Sequence, residues 1–353
     1  MSELSPDLEK KIELKGMDLN EIGVIIKNLR EKPFRAKQLY KWLYRKSAFS
    51  FDEMSDLPLI LRNYLSKRAE LKLLEPKKKV SSKIDASTKY LFKLRDGNCI
   101  ESVYMEYQGR KTVCLSTQVG CSLNCSFCST GKMGFIRNLS TGEILDQFLF
   151  INRESDFSIT NIVFMGMGEP FLNYENVIKA ARILNSELGP EISARKITIS
   201  TSGIVPAIYR FADEGHKFKL AISLNATTDA QRDKSMPINR KYPINVLLEA
   251  AKYYTRKTKR RVTFEYVLIK DFNDSIDDAK RLRKLLSDIP CKLNLIPYNE
   301  TEFSPYKIPD EERLEKFIKE IHRAPFAVTV RRSQGRDIKG ACGQLYFQIK
   351  NEC

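Results

Sequence analysis

Two rhythms of apolar and polar positions divide the chain. Up to about residue 88 the apolar residues recur at helical spacing. "DLNEIGVIIKNL", "RAKQLYKWLYRK" and, after a turn, "FDEMSDLPLILRNYLSKRAEL" each predict a helix with one apolar face. The stretch "EPKKKVSSK" interrupts this rhythm and reads as a linker or exposed basic loop. Residues 89–110 then contain two β-rich runs around Asp96-Gly97, a dipeptide suited to a type I′ turn. A β-hairpin is expected there, with Glu101 inside an otherwise apolar strand.

From residue 111 short β-rich runs alternate with amphipathic stretches. The expected strands are "TVCLST", "TNIVFMG", "KITISTSG", "KLAISLNA", "VTFEYVLI" and "KLNLIPYN". Between them lie helical patterns such as "TGEILDQFLFINRE", "YENVIKAARILNSE", "INVLLEAAKYYTRK" and "SIDDAKRLRKLLSD". Strands alternating with helices imply βαβ units and a parallel sheet. Six units are too few to close an eight-stranded barrel, so the expected class is α/β, an open, partial (β/α)6 barrel. A final helix, "DEERLEKFIKEIHR", and strand, "AVTVRR", precede a Gly-rich tail, "SQGRDIKGACGQ". The chain thus divides into a small helical domain (1–88), a connecting β-hairpin (89–110), the partial barrel (111–330) and a C-terminal segment (331–353).

Composition adds a partner. Lys plus Arg number 60 against 44 Asp plus Glu, a net charge of +16. Such an excess points to a polyanion, with nucleic acid first, because Lys and Arg neutralise phosphates and release condensed counterions. The basic clusters are the helical module, "KKKVSSK", "RKTKRR" and "RRSQGR". In the helical module the basic residues are interleaved with Phe34, Tyr40, Trp42 and Tyr44, most of which are expected to be core. No apolar run is long enough to span a bilayer and the N-terminus lacks an apolar signal core, so a cytoplasmic protein without a membrane partner is expected. Eight cysteines are too few for a disulfide scaffold, and three of them crowd into "CSLNCSFC".

Cys121, Cys125 and Cys128 have the spacing C-x3-C-x2-C. A structural zinc site needs four ligands. His216 and His322 are not ligand-like, and Cys114 lies within a predicted strand. A 4Fe–4S cluster held by three thiolates instead keeps one iron open for an outside ligand. Enzymes of the radical S-adenosylmethionine superfamily carry this spacing after the first strand of a partial barrel, so the motif resembles theirs. Small polar groups also gather at later strand ends: Gly168 and Glu169 in "FMGMGEP", Ser200 in "STSG", Ser223, Leu224 and Asn225 in "SLN", and Asn299 in "PYN". Barrel-like folds bind ligands at the C-terminal ends of their strands. These residues are therefore the candidates for holding the cofactor.

Across nearly its whole length the sequence resembles the bacterial RlmN family of dual-specificity RNA methyltransferases. The resemblance rests on "FRAKQLYKWLY", "FDEMSDLP", "DGNCIESV", "CLSTQVGCSLNCSFCSTGKMGFIRNL", "VFMGMGEPFLN", "ISTSGIVP", "RDKSMPINRKYPI", "LNLIPYN" and "VRRSQGRDIKGACGQL". It implies a radical S-adenosylmethionine barrel that methylates C2 of adenosine 2503 in 23S rRNA and of adenosine 37 in certain tRNAs. It further implies one 4Fe–4S cluster on Cys121, Cys125 and Cys128, and two S-adenosylmethionine molecules used per methylation. Cys342 would become S-methylcysteine and join covalently to the RNA. Glu101 would handle the C2 proton, and Cys114 would resolve the adduct, leaving a transient Cys114–Cys342 disulfide. A monomer served by a flavodoxin or ferredoxin system is expected. Cys99, Cys291 and Cys353 read as structural. The sequence departs from the family at Asn225, a position often occupied by histidine; asparagine keeps one acceptor and one donor group. The rival readings are the related Cfr-type methylation at C8 and a zinc-stabilised RNA-binding protein without catalysis.

Overall fold

The structure, a computed structural model, describes residues 11–346, so Cys353 and the N-terminal ten residues lie outside it. The chain begins with β1 (Ile12–Glu13), α1 (Leu19–Asn28) and α2 (Phe34–Tyr40), which runs on through a π-turn to Arg45. Then come α3 (Leu59–Arg68) and β2 (Ala69–Glu70), which pairs in parallel with β1. Helix α1 starts where the pattern predicts because Asp18 accepts from the amides of Asn20 and Glu21 at 2.8 and 2.9 Å, while Glu21 accepts from Asp18 N. Tyr40 and Tyr44 are core, as expected; Phe34 stays exposed.

The sheet begins earlier than its pattern suggests. "EPKKKVSSK", expected as a linker or loop, forms most of β3 (Leu74–Ser81), antiparallel to β4 (Ala86–Leu94). β4 pairs with β5 (Cys99–Tyr107), and β5 with β6 (Arg110–Cys114), both antiparallel. The lysines are compatible with a strand because β3 is the edge of the sheet. Pro76, which has no amide to donate, sits where the register shifts between Pro76 and Lys78. An edge strand with little to bury shows no apolar alternation, so its period is silent. The turn at Asp96-Gly97 also differs from expectation. Gly97 N donates to Leu94 O at 3.1 Å and only Gly97 in the loop has a positive φ, +84°. A type I turn closed by a left-handed glycine results, whereas type I′ needs two left-handed residues.

After β6 come β7 (Gln118–Gly120), α4 (Ser129–Lys132), β8 (Phe135–Asn138) and α5 (Thr141–Glu154). The alternation then runs β9 (Asn161–Phe164), α6 (Tyr174–Asn185), β10 (Ile197–Thr201), α7 (Val205–Asp213) and β11 (Lys219–Ser223). It ends with α8 (Asp229–Ser235), α9 (Ile244–Thr258), β12 (Val262–Leu268), α10 (Ile276–Leu286), β13 (Cys291–Pro297), α11 (Glu311–Ile321) and β14 (Ala327–Val330). Among the described residues the sheet order is β14-β13-β12-β11-β10-β9-β6-β5-β4-β3, and every pairing from β6 to β14 is parallel. Helices α5, α6, α7, α9, α10 and α11 each fall within one β-to-β crossover, which yields the open six-unit barrel. The crossover from β11 to β12 also holds the short α8. The three antiparallel strands continue this sheet from β6, one strand more than the expected hairpin.

A buried ion pair joins the N-terminal module to the barrel. The Lys15 ammonium bonds Asp146 Oδ1 on α5, and both side chains are essentially without solvent. Asp146 Oδ2 accepts from Leu73 N and Leu74 N at 2.9 and 3.2 Å, so this carboxylate also fixes the start of β3. Lys15 lies 3.8 Å from the centre of the Phe49 ring, and burial holds its ammonium below the usual lysine range. Gly16 lets the backbones close up: a Cβ there would lie 2.6 Å from Gly142 N. Removing one partner of a buried pair strands the other charge. Lys15→Met should therefore cost roughly 3–5 kcal/mol in denaturant unfolding. Lys15→Met/Asp146→Asn should recover much of it, because the amide oxygen still accepts from Leu73 and Leu74. Equal losses in both variants would show that packing around Lys15, and not stranded charge, is what matters.

Candidate active site

The loop that follows β6 is built to hold three thiols above the end of the sheet. Gln147 on α5 clips its start: Gln147 Oε1 accepts from Ser116 N at 2.9 Å and Nε2 donates to Ser116 O at 3.0 Å. β7 and β8 pair antiparallel and close the loop at its base. The closure requires glycine at 120, where φ is +73° and a Cβ would lie 1.8 Å from Gly134 O. Within the loop Cys128 N donates to Cys125 O at 3.1 Å, and Ser126 N donates to Ser235 O of α8 at 2.9 Å. Cys121, Cys125 and Cys128 are free thiols that line one cavity of about 130 Å³.

The opposite wall of that cavity comes from the ends of β9, β10 and β11, as the sequence suggests. Gly168, Glu169, Ser200, Ser223 and Asn225 all line it. Gly168 serves packing more than ligand approach: its φ is +96°, and a Cβ would lie 2.5 Å from Gln118 Cβ. Glu169 is buried, with Oε1 accepting from Phe171 N at 3.0 Å and Oε2 from Ser202 N at 2.7 Å. Burial raises its carboxyl above the usual range, against the pull of those amides. Leu224 keeps its side chain in the core and contributes backbone: its N donates to Glu265 O at 3.0 Å and its carbonyl accepts from Arg232. Asn225 has a left-handed φ of +55°, which asparagine tolerates. Its amide is spent on the fold, Oδ1 accepting from Val267 N at 2.9 Å and Nδ2 donating to Met236 Sδ at 3.4 Å. Asn299 is not among the lining residues; it donates to Ser333 Oγ and Cys342 O at 3.0 and 3.1 Å, and so holds the C-terminal segment.

Sequence reasoning missed two residues that organise this wall. Arg232 on α8 is fully buried and donates to Ser202 O at 2.6 Å, Leu224 O at 3.1 Å, Ser223 O at 3.2 Å and Asn239 Oδ1 at 3.2 Å. Burial brings its guanidinium down to about 10. Gln118 accepts from Glu169 N and donates to Asn138, both at 2.8 Å. Both stand inside stretches quoted for the family resemblance. Neither sits at a strand end of the pattern, where polar residues attract notice.

The C-terminal segment folds back onto the cysteine loop. Ser129 N donates to Gly343 O at 2.8 Å and Thr130 Oγ1 to Leu345 O at 2.7 Å. Cys342 consequently lines the thiol cavity, and together with Cys114 it lines an adjoining space of about 30 Å³ bordered by Met105, Met165, Arg331 and Gln334. Both are free thiols. Cys114 is buried, and the loss of water pushes its thiol up to about 12. Cys342 is solvent-accessible yet walled by protein within the cleft, and its thiol is pushed up to about 11 by the same cause. The accessibility decides how a reagent reaches Cys342; the crowding decides its charge.

Glu101 opens onto a different cleft, of about 790 Å³, between β3, β4, β5 and the C-terminal segment. Its Oε1 lies 2.7 Å from Lys89 Nζ, and its Oε2 accepts from Tyr346 N at 2.9 Å. Lys89 stands on the neighbouring strand, so the pattern of Glu101's own strand could not reveal it. Phe303 and Tyr346, ring centres 4.2 Å apart, line the same cleft. Cys99 and Cys291 are buried away from these cavities.

The thiol cavity suits a group larger than an ion. Among the described residues no three His, Cys, Asp or Glu side chains converge to hold a single metal ion. The three thiols face a shared space instead. Burial pushes Cys121 up to about 12 and Cys125 well above the ordinary thiol value, so a metal bound there would have to displace these protons. Glu169 and the serines on the facing wall leave room for a polar ligand beside it.

Comparison with known proteins agrees with this geometry. Residues 115–283 match the radical SAM superfamily model, and residues 12–71 match that of the ribosomal RNA large subunit methyltransferase N-terminal domain. A dual-specificity RNA methyltransferase RlmN 2 from Myxococcus xanthus is 48% identical over 97% of this chain and 92% of its own. A probable dual-specificity RNA methyltransferase RlmN from Clostridioides difficile is 45% identical over 97% of this chain and 99% of its own. The crystal structure of a radical SAM methyltransferase from Sphaerobacter thermophilus superposes with a TM-score of 0.92, at 44% identity over 95% of this chain and 99% of that one. No helix among the described residues is long and apolar enough to cross a membrane. Since relatives this similar match it over nearly its whole length, and family models match both its barrel and its N-terminal module, the chain belongs to the RlmN family of dual-specificity RNA methyltransferases, within the radical S-adenosylmethionine superfamily.

Proposed function

We propose that this methyltransferase acts at C2 of adenosine 2503 in 23S rRNA and of adenosine 37 in certain tRNAs, with Cys342 as methyl carrier. One observation supports the reading most: Cys342, from the far end of the chain, lines the same cavity as Cys121, Cys125 and Cys128 and also adjoins Cys114. Cys121, Cys125 and Cys128 would hold one 4Fe–4S cluster. Glu169, Ser200, Ser223, Asn225 and the backbone at Gly168 would form the S-adenosylmethionine side, with Leu224 holding that wall through its bonds to Glu265 and Arg232. When bound, the pair supplies radical chemistry, which C2 demands because a carbon between two ring nitrogens is too electron-poor to attack a sulfonium methyl.

The chain's own residues do the rest. Cys342 takes a methyl group on Sγ and carries it, as a thioether, to the base; Asn299 and the anchors at Ser129 and Thr130 hold its loop in reach. Glu101 takes the C2 proton, approached through the cleft that contains Phe303 and Tyr346. Cys114 then attacks Sγ of Cys342 and breaks the bond from that sulfur to the methylene now joined to C2; the released carbon takes up a proton to become the methyl group, and a disulfide is left that a reductant must reopen. Two S-adenosylmethionine molecules are used per methylation. The protein works as a cytoplasmic monomer, with a flavodoxin or ferredoxin system as electron donor. Residues 1–88 act as the RNA-binding accessory domain and 89–110 as the connector. The barrel spans 111–330, and 331–353 is the carrier segment.

Mass spectrometry of 23S rRNA and tRNA from a deletion strain and its complement tests the regiochemistry: 2-methyladenosine should appear only with the protein, and 8-methyladenosine would overturn the assignment. Cys114→Ala should let the adduct form but not resolve, so a protein–RNA crosslink should accumulate on denaturing gels; its absence would point to another resolving group. In metal-free protein the alkylation rate of Cys342 should rise about tenfold per pH unit up to a value near 11, well past the ~8.5 of an ordinary cysteine. The sign follows from the thiolate being the nucleophile. A plateau below pH 9 would mean that a neighbouring group activates this thiol.

A further inference from the structure

The interior of the barrel is polar at its N-terminal end, where closed barrels are filled with branched apolar side chains. Residues two apart on a strand share a face. On the inner face the rung remote from the thiols consists of Thr112 on β6, Thr198 on β10, Lys219 on β11, Thr263 on β12, Lys292 on β13 and Thr329 on β14, all lining a chamber of about 930 Å³. The register brings this rung together: Thr198 is opposite Lys219, and Thr263 is opposite Lys292. The chamber shares Met165, Glu265 and Arg331 with the thiol cavity, so the two are successive compartments of one lumen.

Charge in the chamber is unbalanced. Arg110, Lys219, Lys292 and Arg331 line it, and none makes an ion pair or side-chain hydrogen bond among the described residues. Partial burial and mutual repulsion hold Lys219 and Arg110 below their ordinary values, with Arg110 and Lys292 acting on Lys219, and Arg331 on Arg110. Three carboxylates line the same space: Glu311 pairs with Arg332 at 3.2 Å, and Asp85 accepts from Gly335 N at 2.8 Å with Oδ2, while its buried Oδ1 has no hydrogen-bond partner among the described residues. Glu265 accepts from Asn294 at 2.9 Å with one oxygen, while its buried Oε2 has no hydrogen-bond partner among the described residues and feels the charge of Arg331. Arg110, Lys219 and Lys292 stand at the open mouth of this chamber, exposed to solvent, and Arg331 is half-buried further in; with threonine hydroxyls between them they offer donors to an acceptor-rich ligand.

We propose that this chamber is an oxyanion site that takes a phosphate group, with Lys219, Lys292 and Arg110 as its charged contacts, Thr198 and Thr263 as hydroxyl donors, and Glu265 accepting from a protonated phosphate oxygen. Arginine forks and lysine point charges are the groups that recognise phosphate, and the volume suits a nucleotide-sized ligand. The phosphate is either free or the terminal phosphate of an RNA fragment. The inference does not rest on the assignment of the methylation chemistry.

Equilibrium dialysis of radiolabelled inorganic phosphate against full-length protein at low ionic strength tests it. One phosphate should bind per chain. Lys219→Met/Lys292→Met should weaken binding about tenfold or more, since two charge-assisted contacts are lost. Lys284→Met/Lys319→Met, which removes the same charge from exposed positions on α10 and α11, should leave binding unchanged. Thermal unfolding of both variants guards against loss of fold, and Thr198→Val, which keeps shape and charge, should weaken binding on its own. A 5′-phosphorylated RNA tetranucleotide that displaces the label, where its 5′-hydroxyl counterpart does not, assigns the site to RNA ends; failure of both to compete assigns it to free phosphate. No binding to the unaltered protein, or equal loss in the surface control, overturns the proposal.

Discussion

A parallel sheet that stops leaves backbone amides and carbonyls without strand partners, and in this protein they stop inside the molecule, where each unpaired group would cost about 1–3 kcal/mol. Side chains from the following loops meet that demand. Arg232 collects the carbonyls of Ser202, Ser223 and Leu224. Glu169 accepts from the Ser202 and Phe171 amides, Asn225 from Val267 N, and Asn273 Nδ2 donates to the carbonyls of Asn225 and Val267 at 2.9 and 2.8 Å. Asn173 Nδ2 does the same for Thr117 and Leu139, both at 2.8 Å. The groups that satisfy the sheet therefore also shape the wall facing the three cysteines. A cofactor would meet a surface whose rotamers are already fixed.

That economy explains why some polar residues at strand ends look functional and are partly structural. Asn225 has committed its amide oxygen to Val267, and Gly168 is needed because Gln118 lies where its Cβ would be. The contacts left for a ligand are mainly backbone, serine hydroxyls and the remaining lone pairs of Glu169. A histidine at 225 could adopt the same left-handed backbone, so that exchange would change a side-chain contact and not the path of the chain.

Long-range ties bring the chemistry together. Thr130 and Leu345 are 215 residues apart and hydrogen-bonded, which sets Cys342 beside the cysteine loop. Lys15 and Asp146, 131 apart, fasten the N-terminal module to α5, the helix whose Gln147 clips the start of that loop. The module and the site thus share one helix as a common support. Both ties bury polar groups that have partners only in the assembled fold.

Much was legible in the sequence because its cause is local. Period-two and period-3.6 patterns exposed six strand–helix units, since each element buries one face. The C-x3-C-x2-C spacing pointed to the thiol loop, and the family motifs named Glu101, Cys114 and Cys342 as candidates. The pattern failed where burial did not impose a period: β3 is a lysine-rich edge, and α8 is too short to show one. What the sequence by itself determined was which residues have the chemistry and which elements carry them. Only the tertiary structure decided that Lys89 faces Glu101, that Arg232 closes the strand ends, that Asn299 holds Cys342 and that Arg110, Lys219, Lys292 and Arg331 line one chamber. Those are relations between strands and loops far apart in the chain, fixed by sheet register and by the need to pair buried polar groups, and no local pattern encodes them.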